Sequence, residues 1–103
     1  QLALAVYEAT RAFPKEEQFS LTSQMRRSAV SCASNIVEGC ARNSELDYLR
    51  FLDIAYASAR EVEYQASLAH RLGYLPAGAN SSLYECCVET SKVLGGLIRS
   101  LRS

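Results

Sequence analysis

Phe13-Pro14-Lys15-Glu16-Glu17, then Leu21-Thr22-Ser23-Gln24-Met25-Arg26-Arg27-Ser28, then Ser34-Asn35-Ile36-Val37-Glu38-Gly39, is the stretch of the chain that decides the fold. Pro14 disfavours helical geometry at Phe13, so a first helix must stop there. After the acidic turn, Thr22 or Ser23 can cap a second helix, expected over residues 22–42. Met25, Ala29, Cys32 and Ile36 form one apolar stripe of that helix. Val30, Ala33, Val37 and Cys40 form another, about 100° further round. Between them lie Ser28, Ser31, Ser34, Gly39 and Ala41, small residues that let backbones approach closely. A helix that is apolar on two sides has to bury both.

Working outward, Leu2, Val6, Ala9 and Phe13 lie on one face of a helix over 1–13. The chain opens abruptly inside this pattern, which implies that the helix extends before Gln1. Ser44, with Asp47 three residues on, makes an approximate capping box for a third helix over 45–72. Gly73 is a suitable stop, and Arg71 complements the negative end of the helix dipole. This helix is roughly 40 Å long. Its core face is Tyr48, Phe51, Leu52, Ala55, Ala59, Val62, Ala66 and Ala69, while Leu46, Leu49, Ile54, Tyr56, Tyr64 and Leu68 lie elsewhere on the wheel. A fourth helix over 80–102 carries Leu83, Cys87, Thr90, Leu94, Leu97 and Leu101 at heptad spacing, flanked by Cys86, Val93 and Ile98. Gly95-Gly96 costs this helix about 1 kcal/mol per glycine, which points to a close neighbour. Four helices with short connections predict an all-α, antiparallel up-down-up-down four-helix bundle, one domain over residues 1–103.

The chain has 103 residues, enough for a modest core without staples, and 49% of them are hydrophobic. Eleven basic residues balance eleven acidic ones, which argues against a dedicated nucleic-acid binder. There is no apolar run of about 18 residues to span a membrane. Gln1 to Ala5 lack a basic n-region and a cleavage site, so no signal peptide is expected and the cytoplasm is the expected compartment. Cys32, Cys40, Cys86 and Cys87 match no zinc spacing and read as reduced, small apolar residues.

The stretch from Phe13 to Gly39, the Ser44 to Leu52 segment and Arg71-Leu72-Gly73-Tyr74-Leu75 together resemble the bacterial four helix bundle protein family, once described as S23 ribosomal protein. Its members are encoded in intervening sequences of 23S rRNA genes and in free-standing genes. The matching residues include Phe13-Pro14, Glu16-Glu17, Leu21-Thr22-Ser23-Gln24, Arg26-Arg27, Ser34-Asn35-Ile36, Glu38-Gly39, Arg42, Glu63 and Gly73-Tyr74. The similarity covers about residues 2–76. It departs from the family's pattern at Cys32-Ala33, where Pro or Ala-Pro is usual, and at Cys40, where an aromatic or small residue is common; the family's aromatic before helix one is absent. The resemblance implies an up-down bundle, a homopentamer, and kinship with the accessory protein of diversity-generating retroelements, a basic pentameric bundle that engages reverse transcriptase and nucleic acid. It implies no reaction.

The candidate sites follow. Arg26, Arg27 and Arg42 are candidate phosphate contacts, each neutralising about one phosphate, with pairing to Glu16, Glu17 or Glu38 as the alternative. Asn35, Glu38 and Glu63, at signature positions of the resemblance, suggest a buried polar network that sets helix register. Val30, Ala33, Val37 and Cys40 are the candidate oligomer interface, or else serve the intrachain core. Carboxylate metal sites in bundles use Glu-x-x-His pairs, and this chain has one histidine, His70, and no such pair. No base lies at fixed local spacing from a nucleophile, and no glycine-rich phosphate loop occurs. The expectation is a non-enzymatic oligomer, a scaffold or protein-interaction module without cofactor or metal. The alternative is a nucleic-acid-associated accessory protein, with weak binding that shows no sequence preference.

Overall fold

The computed structural model describes residues 1–102, and among them the regular structure is entirely helical. Helix α1 spans Leu2–Thr10, α2 Leu21–Cys40, α3 Glu45–Arg71 and α4 Ala77–Arg102, with a 3-10 turn at Lys15–Glu17 before α2. Each helix packs on its chain neighbours, and α1 also meets α4, while the backbones of the diagonal pairs stay further apart. This is the up-down-up-down four-helix bundle that the apolar periodicity predicts, 43 Å long.

The core is where the stripes place it. Met25, Ala29 and Cys32 of α2, Leu52, Ala55, Ala59, Val62, Ala66 and Ala69 of α3, and Leu83, Cys87, Leu94 and Ile98 of α4 are buried together with Leu2 and Val6 of α1. Alanines dominate the α3 face, so the helices sit close. The tightest point is Gly39, where a Cβ would come within 3.0 Å of both Phe51 Cβ and Tyr48 Cδ1.

Several boundaries differ from expectation, each for a local reason. Helix α1 stops at Thr10 rather than Phe13. Thr10 Oγ1 donates back to Val6 O at 2.8 Å, and the following amides tighten, Arg11 N donating to Glu8 O and Phe13 N to Thr10 O. Phe13 therefore leaves the helix and is buried, its ring 5.7 Å from that of Tyr74.

Helix α2 starts one residue early, at Leu21, and neither Thr22 nor Ser23 caps it. Glu17 takes that role. Its carboxylate accepts from Ser20 Oγ at 2.6 Å and from the Leu21 amide at 3.4 Å, placing negative charge at the positive end of the helix dipole.

Helix α3 has the expected cap, Asp47 N donating to Ser44 Oγ at 3.3 Å. It ends in a Schellman turn: Gly73, at φ +82°, donates to His70 O, and Tyr74 N donates to Ala69 O. Only glycine adopts that conformation without strain.

Helix α4 starts at Ala77, ahead of the expected residue 80, because Pro76 ends the loop and its carbonyl accepts from Asn80 N at 2.8 Å. Within α4, Gly95 is buried and a Cβ there would meet Tyr56 at 3.6 Å, but around Gly96 nothing lies within 4 Å. The expected close neighbour exists for the first glycine and not for the second.

Candidate functional site and interaction surfaces

Arg26 is half-buried at the α1–α2 contact. Its Nε donates to Thr10 Oγ1 at 2.9 Å, and its guanidinium carbon sits 4.6 Å from the centre of the Tyr7 ring. Its partners are thus on α1 and not Glu16 or Glu17. Thr10 serves twice, donating to the backbone of its own helix and accepting from Arg26.

Arg42 folds back on the end of α2. Its Nη2 lies 3.0 Å from Glu38 Oε2, its Nε donates to Glu38 O at 3.1 Å, and its guanidinium lies 5.3 Å from the Phe51 ring centre. Arg27 is exposed, and its side chain makes no hydrogen bond or ion pair among the described residues. Arg26 and Arg42 stand at opposite ends of α2, about 24 Å apart along the helix. The three arginines do not form one patch, and two already hold intramolecular partners.

Asn35, Glu38 and Glu63 do not form one network. Asn35 Nδ2 donates to Ser31 O at 2.7 Å, and Ser31 Oγ pairs with Ser58 Oγ of α3 at 3.1 Å. Glu38 is exposed and holds Arg42, while Glu63 faces Arg60 at 3.7 Å on the other side of α3. The second polar link between α2 and α3 is Gln65 Nε2 donating to Ser28 Oγ at 3.3 Å, both residues buried. Sequence reasoning missed Gln65. Its signal was register: Ser58, Val62, Gln65 and Ala69 step by four, three and four, so Ser58 and Gln65 occupy core positions.

The second α2 stripe does not serve the core of the single chain. Val30 is 42% exposed, Val37 70%, Cys40 is exposed and Ala33 half-buried. On α3, Leu46, Ile54 and Leu68 are also exposed.

All four cysteines are free thiols. Burial pushes the Cys32 thiol up, and burial followed by the neighbouring Cys86, Glu63 and Cys32 pushes Cys87 up to about 12. Such thiols are inert toward electrophiles at neutral pH. No group of three or more His, Cys, Asp or Glu side chains among the described residues is placed to hold a metal ion. No helix among them is long and apolar enough to cross a membrane.

Comparison with known proteins adds two findings. The model of a family described as 23S rRNA-intervening sequence protein matches residues 1–96. A solved structure from Bacteroides thetaiotaomicron, a protein with unknown function from the S23 ribosomal protein family, is similar at a TM-score of 0.87 and 27% identity, over 95% of this chain and 88% of that one. None of the curated proteins matches the chain.

Proposed function

The chain belongs to the 23S rRNA-intervening sequence protein family, and on that premise we propose that it is a non-enzymatic assembly module that docks against copies of itself. The observation that carries this reading is the exposure of Val37, 70% open at the centre of an apolar stripe. Val30, Ala33, Val37 and Cys40 lie among small residues, Ser34 and Ala41, that permit close docking.

A second apolar surface, Leu46, Ile54 and Leu68, lies on the outside of α3. Two different patches on different helices suit a head-to-tail contact, which leaves no open end when the ring closes. Exposed apolar side chains on two helices are the surface that a self-contact would cover. A ring of five, the number implied by the resemblance, is the proposed assembly. The non-enzymatic part of the reading is supported by His70, whose Nδ1 is held 2.8 Å from Leu75 O.

The test is light scattering on the unmutated chain and on Val37→Arg. A protomer is 11.3 kDa. The unmutated chain is expected at about five times that mass and the variant at the protomer mass, with retained helical circular dichroism, since Val37 is 70% exposed on the single chain. A soluble monomer of the unmutated chain at micromolar concentration would defeat the reading.

A further inference from the structure

Arg26 is a cation without an acid. Thr10 Oγ1 and the Tyr7 ring hold it, and both are neutral groups, so they orient the guanidinium and leave its charge unmatched. Beside it, where the end of α1 meets the start of α2, lies a hollow of about 450 Å3. Its walls include Tyr7, Phe19, Thr22, Arg26, Arg27 and Val30, and no acidic residue lines it. Thr22 is buried, and its hydroxyl has no hydrogen-bond partner among the described residues. Phe19 is 89% exposed. A fork of guanidinium N–H groups, a spare hydroxyl and apolar walls suit a carboxylate carried on a partly apolar surface. The two cations sit at one point and make no track for a polyanion to follow.

An acid of matching kind stands on α3. Ile54, Glu61 and Leu68 follow at steps of seven, which keeps them on one side of the helix. All three are exposed, and Glu61 makes no hydrogen bond or ion pair among the described residues. The other acids of α3 are matched within the chain. Asp47 faces Arg50, Asp53 faces Arg102 and Glu63 faces Arg60, while Glu45 sits in the first turn, where the helix dipole favours it. Glu61 does not line the hollow beside Arg26 in its own chain. It borders a different one, between α2 and α3, together with Arg27, and the two do not pair there.

We infer that the hollow receives Glu61 of a second copy of this chain, whose carboxylate bonds Arg26 and Arg27 and fixes the register of the contact. This pairing rests on the proposed head-to-tail assembly and supplies its charged contact. Val37 lies seven residues beyond Val30, and Ile54 and Leu68 lie seven residues to either side of Glu61, about 10.5 Å in each case. Seating Glu61 beside Val30 therefore sets Val37 against an apolar residue of the second copy, whichever way the two helices run. The same contact covers Phe19.

The test is light scattering over a dilution series, with circular dichroism as the control on folding. Glu61→Lys should raise the concentration at which the assembly half-dissociates by at least about tenfold, because like charges then meet across the contact. The helical signal of the separated protomer should be unchanged, since Glu61 is exposed and unpaired. Glu85→Lys, the same change of charge on an exposed residue of α4, should leave the mass as it is. Ser23 also lines the hollow. Ser23→Cys with Glu61→Cys, in a Cys40→Ser chain that still assembles, should give covalent oligomers on oxidation by copper phenanthroline, and neither single variant should. If the unmutated chain is a monomer, the assembly fails and takes this pairing with it. If it assembles and Glu61→Lys dissociates at the same concentration, or crosslinks form only within a chain, the assembly stands and the pairing falls.

Discussion

Tyr74 donates its phenolic hydrogen to Glu17 Oε2 at 2.9 Å, joining two residues 57 positions apart. One lies in the turn before α2 and the other in the loop after α3. The same carboxylate receives Ser20 Oγ and the Leu21 amide, so one side chain starts a helix and ties two connections together at one end of the bundle.

This arrangement predicts a pH window for stability. The Ser20 hydroxyl first, then Tyr74 and the Leu21 amide, hold the Glu17 carboxyl below its ordinary 4.5. Its contribution is therefore present above that value and is lost as pH falls through the lower folded value. Tyr74 is pushed above its ordinary 10, first by the same hydrogen bond. Its share is present below 10 and is lost as pH rises through the higher folded value. Glu17→Gln and Tyr74→Phe should each lower the melting temperature by a few degrees at pH 7. At a pH low enough to protonate Glu17 in the folded state, the gap between Glu17→Gln and the unmutated chain should close.

Two of the helical glycines, Gly39 and Gly96, should respond oppositely to alanine. At Gly39 the new methyl meets Phe51 Cβ and Tyr48 Cδ1 at 3.0 Å, the first of which cannot swing away. Forcing α2 from α3 costs about 1–3 kcal/mol, more than the gain in helix propensity returns. Nothing stands within 4 Å of a Cβ at Gly96. Gly96→Ala should stabilise by up to about 1 kcal/mol. Urea titration of both variants at equal protein concentration checks the signs.

Thiol reactivity separates the core from the assembly surface. Cys32 and Cys87 are buried, with raised pKa, and should resist a disulfide reagent until the protein unfolds. Cys40 is exposed on the single chain and belongs to the proposed interface. It should react faster in Val37→Arg than in the unmutated protein, because breaking the assembly uncovers it. Equal rates would place Cys40 outside any interface.

Local features of this chain were legible in its residues. The burial of Met25, Ala29 and Cys32 follows from helical spacing, the Ser44 cap from the amide of Asp47 three residues on, and the Gly73 stop from a conformation that only glycine takes easily. Each depends on neighbours within about one helical turn, and that range is what a linear pattern encodes. The sequence also held the second α2 stripe, but not whether the fold would bury it; the packing leaves Val30 and Val37 exposed on the single chain. The fate of Arg26 was settled by Thr10 and Tyr7, and the cap of α2 by Glu17 in place of Thr22 or Ser23. Gln65 met Ser28 across 37 residues. Arg102 of α4 met Asp53 of α3 at 2.7 Å. Periodicity tells each helix which face to bury. It carries no information about which charged side chains two separate helices bring together, and that was decided by packing alone.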